Sequence, residues 1–140
     1  MTAKLILFVV CCTAFGQMDT STLRAKYGEP LPRETFQVRP NIEAVVNYGT
    51  GHQICKTDLP PGSYVNPPHG ASNHDVDQVI DELAPPSARG KEIGVGVLSL
   101  SRASLRLMRY EHVDISEPQD PDHPGRRTSV TITFKRPDCH

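Results

Sequence analysis

Residues 72–83, SNHDVDQVIDEL, carry the clearest secondary-structure signal in the chain. Ser72 opens a capping-box pattern in which aspartate stands where glutamate is usual. The apolar residues that follow recur at i, i+3, i+4 and i+7, and they are Val76, Val79, Ile80 and Leu83. The stretch therefore predicts an amphipathic helix with one apolar stripe, which the following Pro85-Pro86 pair ends.

Upstream of this helix, three stretches alternate between apolar and polar side chains. Residues 35–39, 42–48 and 53–59 predict strands, and the glycine-rich turn at 49–51 makes the last two a hairpin. A short helix is predicted over residues 19–27, with glycine and proline after it. This half of the chain therefore has the order helix and three strands.

Downstream, residues 93–100, 104–115 and 126–135 predict three more strands. Residues 116–125 are polar and rich in proline, which is typical of a loop. The predicted fold class is α+β: an antiparallel sheet of about six strands with two short helices on one face, in the order α-β-β-β-α-β-β-β. The order of a helix followed by three strands is similar to that of small periplasmic inhibitor modules and outer-membrane assembly modules, a similarity of architecture that transfers no function.

Residues 1–16 have the three parts of a cleavable signal peptide. Lys4 supplies the positive charge, residues 5–12 form an unbroken apolar run, and Ala14 and Gly16 are the small residues that precede the cut. The apolar run is much shorter than the roughly 20 residues that span a bilayer. We therefore expect an exported protein, periplasmic or secreted, with no stable membrane insertion after the signal is cleaved.

Other interpretations of the N-terminus are a cut after Ala14 and a buried N-terminal strand or helix. Lipid attachment is disfavoured because Cys11 and Cys12 lie inside the apolar run and are not preceded by a small residue. The expected mature chain, residues 17–140, has the length of a single α+β domain.

The cysteines predict one disulfide. Removal of the signal discards Cys11 and Cys12, which leaves Cys55 and Cys139. Two cysteines in an exported protein most simply form one intramolecular bond, and the alternatives are two free thiols or an intermolecular pair.

Charge argues against nucleic acid as a partner. The chain has 15 Lys and Arg and 16 Asp and Glu, so loss of Lys4 leaves 14 against 16, a formal net charge of −2. Such a chain has no general attraction for nucleic acid or for anionic membranes.

Six histidines raise the question of a metal site. The candidate ligands are His69, His74 and Asp75, which lie close together across a loop-to-helix junction. Their spacing matches neither a HExxH helix nor a CxxC pair, so solvated surface histidines are the simpler interpretation. Residues 120–123, DPDH, offer oxygen ligands for calcium but lack the remaining features of an EF-hand loop.

No catalytic or cofactor motif is present: serines occur in neither G-x-S-x-G nor S-x-x-K. We therefore predict no cofactor and a non-catalytic binding or structural interaction module, with a protein or small-molecule partner. The alternatives are a small secreted metal-dependent hydrolase that uses loop histidines, and a periplasmic inhibitor or assembly module that pairs an open sheet edge with a partner strand. The hydrolase would be favoured if at least three of the following residues lay together in one concave pocket: His52, His69, His74, His112 and Asp122.

Overall fold

The computed structural model describes residues 24–26, 33–60, 72–100, 103–123 and 126–139. The chain divides into two units, residues 1–30 and 31–140. In the first unit residues 24–26 are helical, within the helix predicted over 19–27. The predicted signal peptide and its cleavage site lie outside the described residues.

The second unit contains one antiparallel sheet of seven strands in the order β1-β2-β3-β7-β6-β5-β4. The fold class is α+β, as predicted, with one strand more than expected. Two helices and a 3-10 turn accompany the sheet. The elements are β1 (Arg33–Arg39), β2 (Ile42–Tyr48), β3 (Ile54–Leu59), α1 (Asn73–Leu83), α2 (Pro86–Arg89), β4 (Glu92–Leu100), β5 (Ala103–Tyr110), β6 (Val113–Gln119), β7 (Val130–Phe134) and the 3-10 turn Pro137–Cys139.

Helix α1 begins with the predicted capping box. The Ser72 hydroxyl accepts a hydrogen bond from the Asp75 backbone N–H at 3.1 Å, and the Asp75 carboxylate accepts one from the Ser72 N–H, also at 3.1 Å. These bonds satisfy two of the backbone donors that a helix start leaves without partners. The apolar stripe of α1 is buried in one core with side chains from β2, β3, β6 and β7, and the core is Ile42, Ala44, Leu59, Val76, Val79, Ile80, Ala84, Val113, Ile115, Val130, Ile132 and Phe134.

The prediction of a single strand over residues 104–115 is wrong. The chain reverses at Glu111 and His112, so β5 and β6 are separate antiparallel strands. Gly90 packs against this turn with φ of 75°, and a Cβ there would lie 2.8 Å from atoms of both Glu111 and His112. The reversal therefore depends on a contact with a distant glycine, which the local pattern does not encode.

The loop predicted over residues 116–125 begins too early, because β6 continues through Gln119. Pro118 is tolerated there because it lies beyond the β6–β7 ladder, which covers only Val113–Ser116 on β6. The Pro118 carbonyl accepts a bond from the Thr128 N–H at 2.9 Å instead.

Helix α2 was not predicted, although Pro85 and Pro86 do end α1. Arg89, the last residue of α2, donates from Nε to the Ala84 carbonyl at 2.6 Å and pairs with Asp81. The guanidinium thus satisfies a free carbonyl at the end of α1, where a cation also complements the helix dipole.

Candidate functional site

Of the three candidate metal ligands predicted from the sequence, His74 and Asp75 lie in the described part of the chain, where their side chains have other hydrogen-bond partners. His69 lies outside the described residues. His74 contacts Gln78 through Nε2 at 3.2 Å, while the Asp75 carboxylate is occupied by the helix cap. Hydrogen bonds from Ser72 hold the pKa of Asp75 below its ordinary value. Within the ranges that the structure describes, no group of three or more His, Cys, Asp or Glu is placed to hold a metal.

The acidic turn at residues 120–123 closes on itself. The Asp120 carboxylate accepts from the Asp122 backbone N–H at 2.9 Å and lies 3.0 Å from His123 Nδ1. These contacts hold the pKa of Asp120 below its usual range, the backbone hydrogen bond being the larger cause. Its oxygens therefore stabilise the turn.

The predicted disulfide between Cys55 and Cys139 is present, and a cavity of about 640 Å³ lies beside it. Three of the described residues that line this cavity are cationic, but two of them have acidic partners: Lys56 pairs with Asp58 at 3.0 Å and Lys135 with Asp114 at 2.7 Å. The third, Arg136, stacks on the Phe134 ring at 5.1 Å. Among the described lining residues, Arg136 is therefore the one cation without an acidic partner, and its guanidinium already packs on an aromatic ring.

A buried ion cluster joins α1 to the sheet. Glu117 of β6 is 1% exposed, and its carboxylate lies 3.3 Å from Nε of Arg127 and 3.6 Å from Nη1 of Arg106. Arg127 also pairs with Asp77 of α1 at 2.7 Å. Burial raises the pKa of Glu117, and the two arginines oppose that shift. The cluster has the geometry of a structural bridge, because its central carboxylate has almost no access to solvent.

The two edges of the sheet differ in how they meet solvent. Edge strand β1 carries Arg33, Glu34 and Arg39, and Arg39 forms an ion pair with Glu82 of α1. Charged side chains on an edge strand oppose pairing with another chain. The edge at β1 is therefore protected in the usual way.

Edge strand β4 has much less of this protection, because its one charged residue is Glu92 at its start. Nine consecutive residues, 93–101, are uncharged and contain no proline. Four of their large apolar side chains are more than half exposed, namely Ile93 at 63%, Val95 at 52%, Val97 at 64% and Leu98 at 57%. A long, apolar, uncharged edge is the type of surface to which a further strand adds.

The two faces of β4 have different surfaces. Val95 and Val97 lie opposite Met108 and Arg106 of β5, on the same face of the sheet as the core. The other face of β4 carries Gly94 and Gly96, and a Cβ added at either would meet no atom within 4 Å. The glycines therefore leave an open slot across the outer face of the edge strand.

This slot, which we call the glycine slot, is a shallow cavity of about 320 Å³ lined by Gly94, Val95, Gly96, Leu98, Leu107 and Arg109. Leu107 is directly opposite Gly96, and Arg109 is directly opposite Gly94. Side chains of β5 thus form the inner wall of the slot, and the glycine backbone forms its floor.

Arg109 is a cation without a partner among the described residues. Its cross-strand neighbour on the other side is Asp114, whose Oδ1 lies 2.7 Å from Lys135 Nζ. Because Lys135 engages that carboxylate, the Arg109 guanidinium has neither an ion pair nor a side-chain hydrogen bond in the part of the chain that the structure describes. The sequence predicted a strand over residues 93–100 but neither its position at the edge of the sheet nor a role for Arg109, although the charge-free run at 93–101 was a visible signal.

Comparison with known proteins adds one distant likeness. No protein-family model matches the chain, and no curated protein matches it. Among solved structures, the chain is similar to a crystal structure of a DUF4309 family protein, YjgB, from Bacillus subtilis. The two are 9% identical, the match covers 83% of this chain and 78% of that chain, and the TM-score is 0.38.

Proposed function

We propose that the protein is an exported, non-catalytic interaction module that binds an extended strand of a partner protein along the edge of β4. The observation that carries this proposal is the contrast between the two sheet edges. Strand β1 carries charged residues along its length, whereas residues 93–100 of β4, after Glu92, contain no charge or proline and expose apolar side chains. A strand added there would gain main-chain hydrogen bonds and cover the apolar row.

The length and composition of the β4 edge also favour pairing with a further strand. An edge of this length and composition exposes unpaired backbone donors and acceptors next to apolar side chains, a combination that promotes association. Proteins normally interrupt such edges with a lysine or a proline. Retention of an uninterrupted edge on β4 is therefore consistent with a role in binding.

A non-catalytic role is supported by the way the reactive side chains are used. Asp75 completes a helix cap, Asp120 closes a turn, and Glu117 is buried against Arg127. Each of these acids already has a structural task. Their geometry supports an interaction module over the metal-dependent hydrolase considered from the sequence.

Export to the periplasm or the exterior is supported by two independent features. The N-terminal segment has the charge and apolar pattern of a signal peptide. The Cys55–Cys139 disulfide is of the kind that persists in an oxidising compartment. We expect mass spectrometry of the exported product to show Gln17 as the first residue. A retained N-terminal segment in the exported product would contradict this part of the proposal.

Strand addition is tested with displayed random peptides of about twelve residues, long enough to span β4. The library is selected on the wild-type protein, and binding of the selected peptides is measured by fluorescence anisotropy. We expect Val97→Glu to weaken binding by at least about tenfold, because it places a charge on the edge. The fold tolerates this change, since Val97 is exposed and the new carboxylate lies opposite Arg106.

Thr35→Glu on β1 is the matched control, because it adds the same charge to the opposite edge, and we expect it to leave binding within about twofold. Amide chemical shifts locate the peptide, and the largest changes are expected in β4. Failure to select any peptide, or selected peptides that shift residues elsewhere and bind Val97→Glu normally, would overturn the proposal.

A further inference from the structure

We infer that the added strand carries an acidic side chain, whose carboxylate binds Arg109 across the glycine slot. This inference rests on the proposed function, because it specifies the chemistry of the strand that pairs with β4. It depends on four features: an unpaired cation, a path to it, an apolar frame, and the limited charge of the site.

The cation in question is Arg109, which has no partner among the described residues. Its cross-strand neighbours are Asp114, which is bound to Lys135, and Gly94, which has no side chain. A guanidinium binds a carboxylate through two parallel hydrogen bonds, an arrangement that fixes geometry as well as adding affinity. Arg109 is therefore able to select an acidic group on an incoming strand.

The path to Arg109 is open because of the glycines. A strand added to β4 would lie roughly 5 Å beyond it and twice that distance from β5. Residues 94 and 96 of β4 lie between the new strand and β5, and a side chain at either position would block the way. Both residues are glycines, and the space that a Cβ would occupy is open. The long side chain of Arg109 and an aspartate or glutamate from the partner can therefore meet above Gly94.

The apolar frame orients the partner. Leu107 lies opposite Gly96, and Leu98 lines the same slot with an exposed side chain. Neighbouring residues on one face of a strand are two positions apart. We therefore expect the acidic residue of the partner strand to be followed or preceded, two positions away, by an apolar residue that covers Leu98 and Leu107.

The number of cations in the glycine slot indicates which class of ligand it would bind. Among the described residues that line it, Arg109 is the only cation, and the others are glycine, valine and leucine. Phosphate-rich ligands are bound by several cations together. A single guanidinium in an apolar frame suits one carboxylate on a peptide.

The test uses the displayed random library on two proteins in parallel, the wild type and Arg109→Gln. We expect wild-type selection to enrich Asp or Glu at one recurring position, with an apolar residue two positions away, and Arg109→Gln selection to lose that enrichment. For a selected peptide, acid-to-amide substitution should weaken binding to the wild type by about tenfold, a typical effect for a charge-assisted hydrogen bond. The same substitution should not weaken binding to Arg109→Gln, so the two changes are coupled.

Two variants complete the test. Arg109→Lys keeps the charge and should preserve the preference for an acid in part, whereas Arg33→Gln on the opposite edge strand should leave it unchanged. If peptides bind β4 without acidic enrichment, or if Arg109→Gln leaves the enrichment intact, the inference fails and strand addition survives. If no peptide binds β4, both fail.

A second copy of the chain is the other occupant that the test identifies. Sedimentation velocity of the wild-type protein without peptide is expected to show a single monomeric species over a range of concentrations. A concentration-dependent dimer that Val97→Glu abolishes would show that β4 pairs with another copy. That result would overturn the assignment to an acidic partner strand.

Discussion

Cys55, in β3, is disulfide-bonded to Cys139 in the C-terminal 3-10 turn across 84 residues of sequence. The bond closes a loop that contains α1 and every strand from β4 to β7. Gly49 lies against the same turn, where a Cβ would come within 2.3 Å of the Asp138 carbonyl oxygen. The C-terminus is thus held against the β2–β3 hairpin both covalently and by close packing.

Removal of this bond should destabilise the fold strongly. For a loop of this length, the chain-entropy model gives a loss of about 4–5 kcal/mol in the free energy of unfolding for the double variant Cys55→Ser, Cys139→Ser. Urea unfolding followed by circular dichroism measures the loss. The wild-type protein under reducing conditions is the control and should behave like the double variant. Unchanged stability in both would show that the bond does not restrain the unfolded chain.

Substitution of Gly96 by valine should raise the stability of the fold but abolish peptide binding. Gly96 has no positive φ and open space at its Cβ, so Gly96→Val is expected to raise the unfolding free energy by about 0.5–1 kcal/mol. The same side chain would fill the glycine slot and should abolish binding of peptides selected on the wild type. Ser99→Val, on the other face of β4, is the control that should retain binding. A Gly96→Val protein that binds normally would show that partners do not use the slot.

The features predictable from sequence are those fixed by local chemistry. The capping box at Ser72 and the apolar stripe of α1 need only neighbouring residues, and the disulfide followed from the number of cysteines left after signal removal. The β5–β6 reversal depends instead on Gly90, and its turn residues Glu111 and His112 give no strong turn signal. The alternating pattern alone therefore predicts a single strand where the structure has β5 and β6.

The candidate site was less predictable because it depends on sheet order. Alternation identified residues 93–100 as a strand, but only the order of the seven strands shows that β4 lies at an edge. The free charge on Arg109 likewise depends on Lys135, a residue 26 positions away, engaging Asp114. The sequence predicts a loop at Glu117, and the burial of this residue is a consequence of the register of β6. These properties arise from tertiary pairing, which a single sequence does not display.

The helix cap should make the fold sensitive to acid. Hydrogen bonds from Ser72 lower the pKa of Asp75 below 3.8, so the ionised carboxylate stabilises the folded state above that value. This contribution is lost as the pH falls below 3.8 and through the lower folded-state pKa. Ser72→Ala should cost about 1 kcal/mol at neutral pH, because it removes the cap.

Because the same substitution removes the hydroxyl hydrogen bond that is the largest cause of the lowered Asp75 pKa, while the backbone N–H at position 72 still donates to the carboxylate, the difference in stability between the wild type and Ser72→Ala should narrow between pH 6 and pH 2. Urea midpoints measured across that range test this expectation. Ser87→Ala, an exposed serine in α2, is the control and should follow the wild type. A constant difference between wild type and Ser72→Ala at every pH would contradict the assigned role of Asp75.

The buried cluster should respond to pH in the opposite direction. Arg127 lies between Glu117 and Asp77, so Arg127→Met would leave the buried Glu117 carboxylate with only Arg106, at 3.6 Å. Loss of one partner from a buried pair costs roughly 3–5 kcal/mol, and we expect the lower end because Arg106 remains.

Burial raises the pKa of Glu117 above its unfolded value, so the folded state takes up a proton more readily than the unfolded state. Acidification toward the unfolded pKa should therefore relieve the defect.

The expected result is a larger loss of unfolding free energy at pH 7 than at pH 5 for Arg127→Met, measured by urea unfolding. The double variant Glu117→Gln, Arg127→Met removes the buried charge, so it should recover part of the lost stability at pH 7 and lose the pH dependence. Equal losses at both pH values in the single variant would mean that Arg127 acts through packing of its side chain. Greater instability of the double variant at pH 7 would mean that Arg106 alone neutralises Glu117, because the carboxylate would then still be stabilising without Arg127.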